Sequence, residues 1–139
     1  MATRMPSYRP HVTFAVADVV GEAAVRAAER AGGGRLELAM DLLGVFGGDQ
    51  GVLFLGVTPT QALVAAHAAV HAALPGDGGG PHGHFRPGVW VPHCTLAAGL
   101  EGGALGRAVS ALHPVGEVRA RVAAWEVVVL PDERDAAQA

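Results

Sequence analysis

Two short segments of the chain carry residues that could do acid–base chemistry, and they carry them at the same spacing. Residues 10–14 read PHVTF and residues 92–96 read PHCTL. The chain holds only seven His and five Thr among its 139 residues, so chance is a weak explanation for the repetition. An imidazole can exchange a proton near neutral pH, and a hydroxyl can donate a hydrogen bond to an anionic oxygen. The two segments together predict a site for an anionic substrate.

Side-chain alternation in a strand would bring the polar residues of each segment together. Neighbouring side chains of a strand point to opposite faces, so His11 and Thr13 would share one face, as would His93 and Thr95. The Thr hydroxyls could then donate to the non-bridging oxygens of a phosphate, while the two imidazoles divide the roles of base and acid. The core-facing residues of the two strands would be Val12, Phe14, Val16, Cys94 and Leu96.

The elements that would position these residues follow from periodicity and turn signals. Strands are predicted over 11–18, 35–46, 51–57, 93–98, 116–123 and 125–130, and helices over 21–31, 61–74 and 101–112. Residues 76–88 form a Gly- and Pro-rich loop, and residues 131–139 form a tail.

The order motif strand, helix, strand, strand occurs twice, in 11–57 and again in 93–130. We therefore predict one α+β domain over residues 1–139. It would have two pseudo-symmetric lobes of antiparallel sheet with helices outside, about 8–57 and 58–130, and a cleft lined by the two H-x-T strands.

The beginning of the first lobe differs from that of the second. A strand and a helix precede the second motif, but only ten residues precede His11. We expect the chain to lack the equivalent N-terminal strand and helix of the first lobe.

The paired H-x-T segments, with the run FRPGVWVPHCTLA at residues 85–97, resemble the 2H phosphoesterase superfamily. This superfamily includes the 2′–5′ RNA ligase-like proteins and the RNA 2′,3′-cyclic phosphodiesterases, and the resemblance covers about residues 8–130. It implies a metal-independent phosphodiesterase without a cofactor, in which His11 and His93 are catalytic and Thr13 and Thr95 bind phosphate. The implied substrates are nucleotides or RNA 3′ ends with a 2′,3′-cyclic phosphate or a 2′–5′ linkage.

Several residues just upstream of the motifs are candidates for substrate contacts by stacking or phosphate pairing. They are Tyr8, Arg9, Phe85, Arg86 and Trp90. Trp90 alternates with two Val residues, so a structural role in the core is the alternative for it.

We expect structural rather than catalytic roles for the other histidines of residues 67–84 and for the single cysteine. His67 and His71 stand four residues apart on a helix and could share a metal, but no third ligand accompanies them, so partly exposed positions are expected. A metal protein built on the His-rich region 67–84, which includes His82 and His84, is a weaker alternative. Cys94 is expected to be a small buried residue rather than a nucleophile.

Composition narrows the class of protein further. A net charge of −3 argues against a protein that binds long duplex nucleic acid by counterion release. No apolar run reaches the roughly 18 residues of a membrane span, and the start MATRMPSYRP lacks the apolar stretch of a signal peptide. One Cys excludes an internal disulfide and fits the cytoplasm. A module that binds a nucleotide or RNA terminus without turnover needs the same four motif residues and stays an alternative.

Overall fold

The structure is a computed structural model that describes residues 9–32, 36–75 and 83–129. These residues form three helices and four strands, an α+β fold as predicted. The helices are α1 (Glu22–Gly32), α2 (Gln61–Ala72) and α3 (Gly102–Leu112), and the strands are β1 (Glu37–Val45), β2 (Leu53–Val57), β3 (His93–Ala97) and β4 (Val118–Arg121). Thr60 caps α2 by accepting a hydrogen bond from the Leu63 amide at 3.1 Å.

The four strands form one antiparallel sheet in the order β3-β2-β1-β4. Strands β1 and β2 pair as an antiparallel hairpin across residues 47–50. The second motif lies on β3 at one edge of this sheet, where His93 stands opposite Gly56. Because the described strands belong to a single sheet, the arrangement in two pseudo-symmetric lobes stays a prediction.

Helices α1 and α2 cover one face of the sheet. Small residues of α1 allow the helices to lie close together, and larger apolar residues of α2 fill the space above the strands. The buried cluster beneath them consists of Phe14, Ala24, Ala28, Leu36, Leu38, Met40, Val57, Leu63, Ala66, Val70, Leu74 and Cys94. Cys94 is thus a buried residue, as expected.

The strand predicted over residues 11–18 is not present. Residues 10–20 are neither helical nor extended in a ladder. Their carbonyls find partners outside any sheet, because the carbonyl of Thr13 accepts from the Trp90 indole at 3.0 Å and that of Phe14 accepts from His71 at 2.8 Å. The apolar alternation of this segment therefore reports which side chains are buried, not how the backbone is bonded.

Two smaller predictions were also wrong. Leu96 was expected in the core and is 45% exposed, because it is the bulged residue of β3: Leu53 and Phe54 pair with Ala97 and Thr95 and leave Leu96 unopposed. The strand predicted over 125–130 is absent from its described part, 125–129. Trp125 packs instead against the ring of Phe14 at 4.8 Å, and the valines that follow it are exposed.

The start of β2 is tied to the chain that leaves β3. Gly51 has a φ of +61°, and a Cβ at this position would collide with the carbonyl of Leu100. This close approach permits two backbone hydrogen bonds, from Gly99 to Gln50 at 2.9 Å and from Leu100 to Gly51 at 3.2 Å. They fix the edge strand that carries His93.

Three predictions fall wholly or partly outside the described residues: the tail over 131–139, most of the loop over 76–88, and the missing N-terminal strand and helix. Within the described ranges, no helix is both long and apolar enough to cross a membrane.

Candidate active site

His93 begins β3 and is only 6% exposed. Two aromatic rings pack against its imidazole, Phe46 at 4.8 Å and Phe54 at 5.3 Å between ring centroids. Gly44 stands opposite Phe54 on the neighbouring strand, and a Cβ there would collide with the Phe54 ring. The glycine therefore lets the ring lie flat across the sheet, where it holds the imidazole in apolar surroundings.

The two motif histidines make the same hydrogen bond to their own backbone. His93 donates from Nδ1 to the carbonyl of Val91 at 2.7 Å, and His11 donates from Nδ1 to the carbonyl of Arg9 at 2.9 Å. A carbonyl oxygen can only accept, so Nδ1 carries the proton in both rings. In each neutral imidazole Nε2 is therefore the basic atom.

The motif histidines also lie within electrostatic reach of each other. Burial is the main cause that lowers the pKa of His93 below its usual value of 6.5, and the charges of His11 and His84 lower it further. The hydrogen bond to Val91 opposes these effects. The charge of His11 thus acts on His93, although most of the chain separates the two residues in sequence.

The threonines of the two motifs have different surroundings. The Oγ1 atom of Thr95 is buried and has no hydrogen-bond partner among the described residues. A buried hydroxyl without a partner is costly, and a bound anion would supply the missing acceptor. Thr13 is half-buried, and its backbone is fixed by the hydrogen bond from Trp90.

A cavity of about 280 Å³ opens beside His93. Its walls are mostly apolar or aromatic, and the residues that line it are Phe46, His84, Phe85, Val89, Trp90, Val91 and His93. A second, more open depression of about 480 Å³ lies between α1 and α2, is lined mostly by Ala and contains no residue of either motif. The first cavity is therefore the one that a motif residue, His93, lines.

The other predicted contact residues lie in different places. Tyr8 is outside the described residues. Arg9 is exposed and forms an ion pair with Glu126 at 3.6 Å. Trp90 is half-buried, lines the cavity and stacks on the ring of His67 at 3.8 Å with an interplanar angle of 9°.

The expectation of partly exposed positions on α2 was wrong for His67, which is only 2% exposed. Its Nε2 donates to the carbonyl of Phe85 at 2.8 Å. Position 67 continues the apolar stripe of Leu63, Val70 and Leu74, and this helical spacing is the signal that could have revealed it. His71 is half-buried, as expected, and donates to Phe14.

Among the described residues, no three or more His, Cys, Asp or Glu side chains are grouped so that they could hold a metal ion.

Comparison with known proteins adds one finding. The sequence model of the 2′-5′ RNA ligase superfamily matches residues 2–134, which include both H-x-T segments. No curated protein matches the chain closely enough to count as a relative. A match that spans nearly the whole sequence and includes both H-x-T segments places the chain in the 2′-5′ RNA ligase superfamily, the 2H phosphoesterases.

Proposed function

We propose that this protein is a metal-independent phosphodiesterase that hydrolyses 2′,3′-cyclic phosphates or 2′–5′ phosphodiester bonds of nucleotides or RNA 3′ ends. Superfamily members are typically phosphoesterases or ligases, and the family implies RNA or nucleotide substrates in general. The observation that carries the finer proposal is the matched pair of imidazoles. His11 and His93 share one tautomer and lie close enough for their charges to interact.

The lowered pKa of His93 favours this residue as the general base. Its imidazole is neutral at neutral pH, and its Nε2 is free of the proton that Nδ1 carries. His93 would take a proton from water while the water oxygen forms the new bond to phosphorus. We therefore propose that water attacks the phosphorus from the side on which His93 lies.

His11 would act from the opposite side as the general acid. Displacement at phosphorus runs in line, so the ribose oxygen departs opposite the attacking water and takes the proton of protonated His11. Product release then leaves a proton on His93 and none on His11, and exchange with solvent restores the starting state. No metal ion or oxidant is needed for this balance.

Thr95 and Thr13 would stabilise the charge that develops on the non-bridging oxygens. The argument is strongest for Thr95, whose buried Oγ1 has no partner among the described residues. The hydroxyl of Thr13 has the equivalent place in the first motif, and we propose that it donates to the second non-bridging oxygen.

The cavity beside His93 suits one nucleobase. Its walls include the rings of Phe46, Phe85 and Trp90, on which a flat base can stack. A volume of about 280 Å³ and a net charge of −3 both favour a small substrate or a single RNA terminus over a long strand. We propose Trp90, which lines this cavity, as a substrate contact, and we propose Tyr8 and Arg9 as further substrate contacts.

The proposal is tested by incubating the purified protein with the four 2′,3′-cyclic nucleotides and with a 2′–5′-linked dinucleotide. We expect nucleoside monophosphates to form, as detected by chromatography. We also expect the rate to be unchanged in EDTA, because histidines carry out both proton transfers. Saturable binding of a cyclic nucleotide without product would instead support a binding module. Absence of both binding and product would overturn the phosphodiesterase proposal and the binding alternative together.

A further inference from the structure

The first motif is held in place by side chains rather than by a strand ladder. Two consecutive carbonyls, those of Thr13 and Phe14, accept hydrogen bonds from the Trp90 indole at 3.0 Å and from His71 at 2.8 Å. One donor comes from the loop before β3 and the other from α2. Hydrogen bonds to two neighbouring carbonyls restrain both the position and the orientation of the backbone segment that carries His11.

Trp90 is itself firmly placed. One face of its indole stacks on the buried ring of His67. The ring of Phe14 meets the indole in an edge-to-face arrangement, with 5.0 Å between the ring centroids. His67 in turn donates to the carbonyl of Phe85 at 2.8 Å, which anchors the loop that leads to β3. The donor that holds Thr13 therefore belongs to a packed cluster and not to a mobile loop.

Trp90 also stands three residues before His93 in the chain. The side chain that donates to the backbone of the first motif thus belongs to the segment that leads into the second motif. Any shift of Trp90 would change the separation between His11 and His93.

We propose that Trp90 and His71 are positioning residues that set the placement of His11 relative to His93. The proposal rests on the proposed phosphodiesterase function and adds to it two residues outside the H-x-T motifs. Neither needs to touch the reacting atoms. A misplacement of about 1 Å in a catalytic group can cost on the order of 10²-fold in rate, so loss of either donor should act mainly on kcat.

The first test replaces Trp90 with Phe, which keeps an aromatic ring over His67 and removes the N–H donor. We expect kcat to fall by on the order of 10²-fold with KM changed only a few-fold. The matched control is Trp125→Phe, because Trp125 packs edge-on against the same Phe14 ring at 4.8 Å. Equal losses in the two variants would show a general effect on the core and overturn the proposal. A rise in KM with kcat retained would show that Trp90 acts through substrate binding alone, and would also overturn the positioning proposal.

A second pair of variants tests the other donor. His71→Leu removes the hydrogen bond to Phe14, whereas His71→Gln keeps an amide donor of similar reach. We expect His71→Leu to lower kcat by at least tenfold and His71→Gln to restore most of it. Equal activity of the two variants would contradict a positioning role for His71.

A measurement that needs no turnover separates this inference from the proposed function. We expect an NMR titration to show a higher pKa for His93 in the His11→Gln variant than in the wild-type protein, because the charge of His11 lowers this pKa. In a Trp90→Phe background the same substitution should change the pKa of His93 little, since the two rings are already displaced from each other. An equal rise in both backgrounds would refute the proposal, even if no substrate is turned over.

Discussion

Replacement of either His11 or His93 with Ala is expected to lower kcat for cyclic-phosphate hydrolysis by on the order of 10²–10⁴, the usual effect of removing a general acid or base. In the proposed mechanism each imidazole serves a different side of the phosphate, so neither can substitute for the other. The measurement is initial rates of the purified variants with 2′,3′-cyclic nucleotides. Retention of near wild-type turnover by either variant would show that the two-histidine mechanism is wrong.

The control for this experiment is His113→Ala, which removes an exposed imidazole at the end of α3 and should leave kcat unchanged.

A pH profile of activity tests which histidine is the base. If His93 is the base, activity in kcat/KM requires its neutral form, and its lowered pKa places the acid limb below 6.5. An acid limb at or above that value would contradict His93 as the base. The residual activity of His93→Ala should lack this limb altogether.

The free energy of unfolding is expected to decrease by about 3 kcal/mol as the pH falls from 7 to 4, through His67 alone. Burial, and then the charge of His71, lower the pKa of His67 from 6.5 to about 4 in the folded protein. Between these values the unfolded chain binds the proton and the folded protein does not. The stabilisation is therefore complete above pH 6.5 and is lost progressively as the pH falls toward 4. Urea unfolding at several pH values within this window measures it.

His67→Gln isolates this effect, because Gln can donate to the carbonyl of Phe85 but does not titrate. The variant should be less stable than the wild type at pH 7, since it loses the stacking on Trp90, and its stability should depend less on pH. The lowered pKa of His93 contributes in the same direction in both proteins. Identical slopes of stability against pH in the two proteins would contradict the assignment to His67.

The helices and the sheet could be predicted because their signals are local. Thr60 is a standard cap, the apolar residues of α2 repeat at helical spacing, and the turn residues between β1 and β2 give a hairpin. The four motif residues could be identified for a similar reason, since a repeated short motif is visible without any knowledge of the fold.

The errors concern interactions between distant parts of the chain. Alternation in residues 11–18 identified Phe14 as a core residue but could not show that side chains of α2 and the loop before β3 would bind the backbone. The burial of His67 could not be predicted from its polarity, because the carbonyl of Phe85 accepts a hydrogen bond from its ring in the core. Leu96 depended on a bulge whose position is decided by the partner strand.

The different attachment of the two motifs has a consequence for local stability. His93 belongs to a strand paired with β2, so it can leave its place only if the edge of the sheet opens. Residues 10–20 lie outside the described ladders and are held largely by side-chain contacts, so this segment can open alone at a lower cost in free energy. Backbone amides of residues 12–17 should then exchange with solvent deuterium faster than those of residues 93–97. Such opening would give a molecule with an intact sheet and one imidazole out of place, inactive without being unfolded.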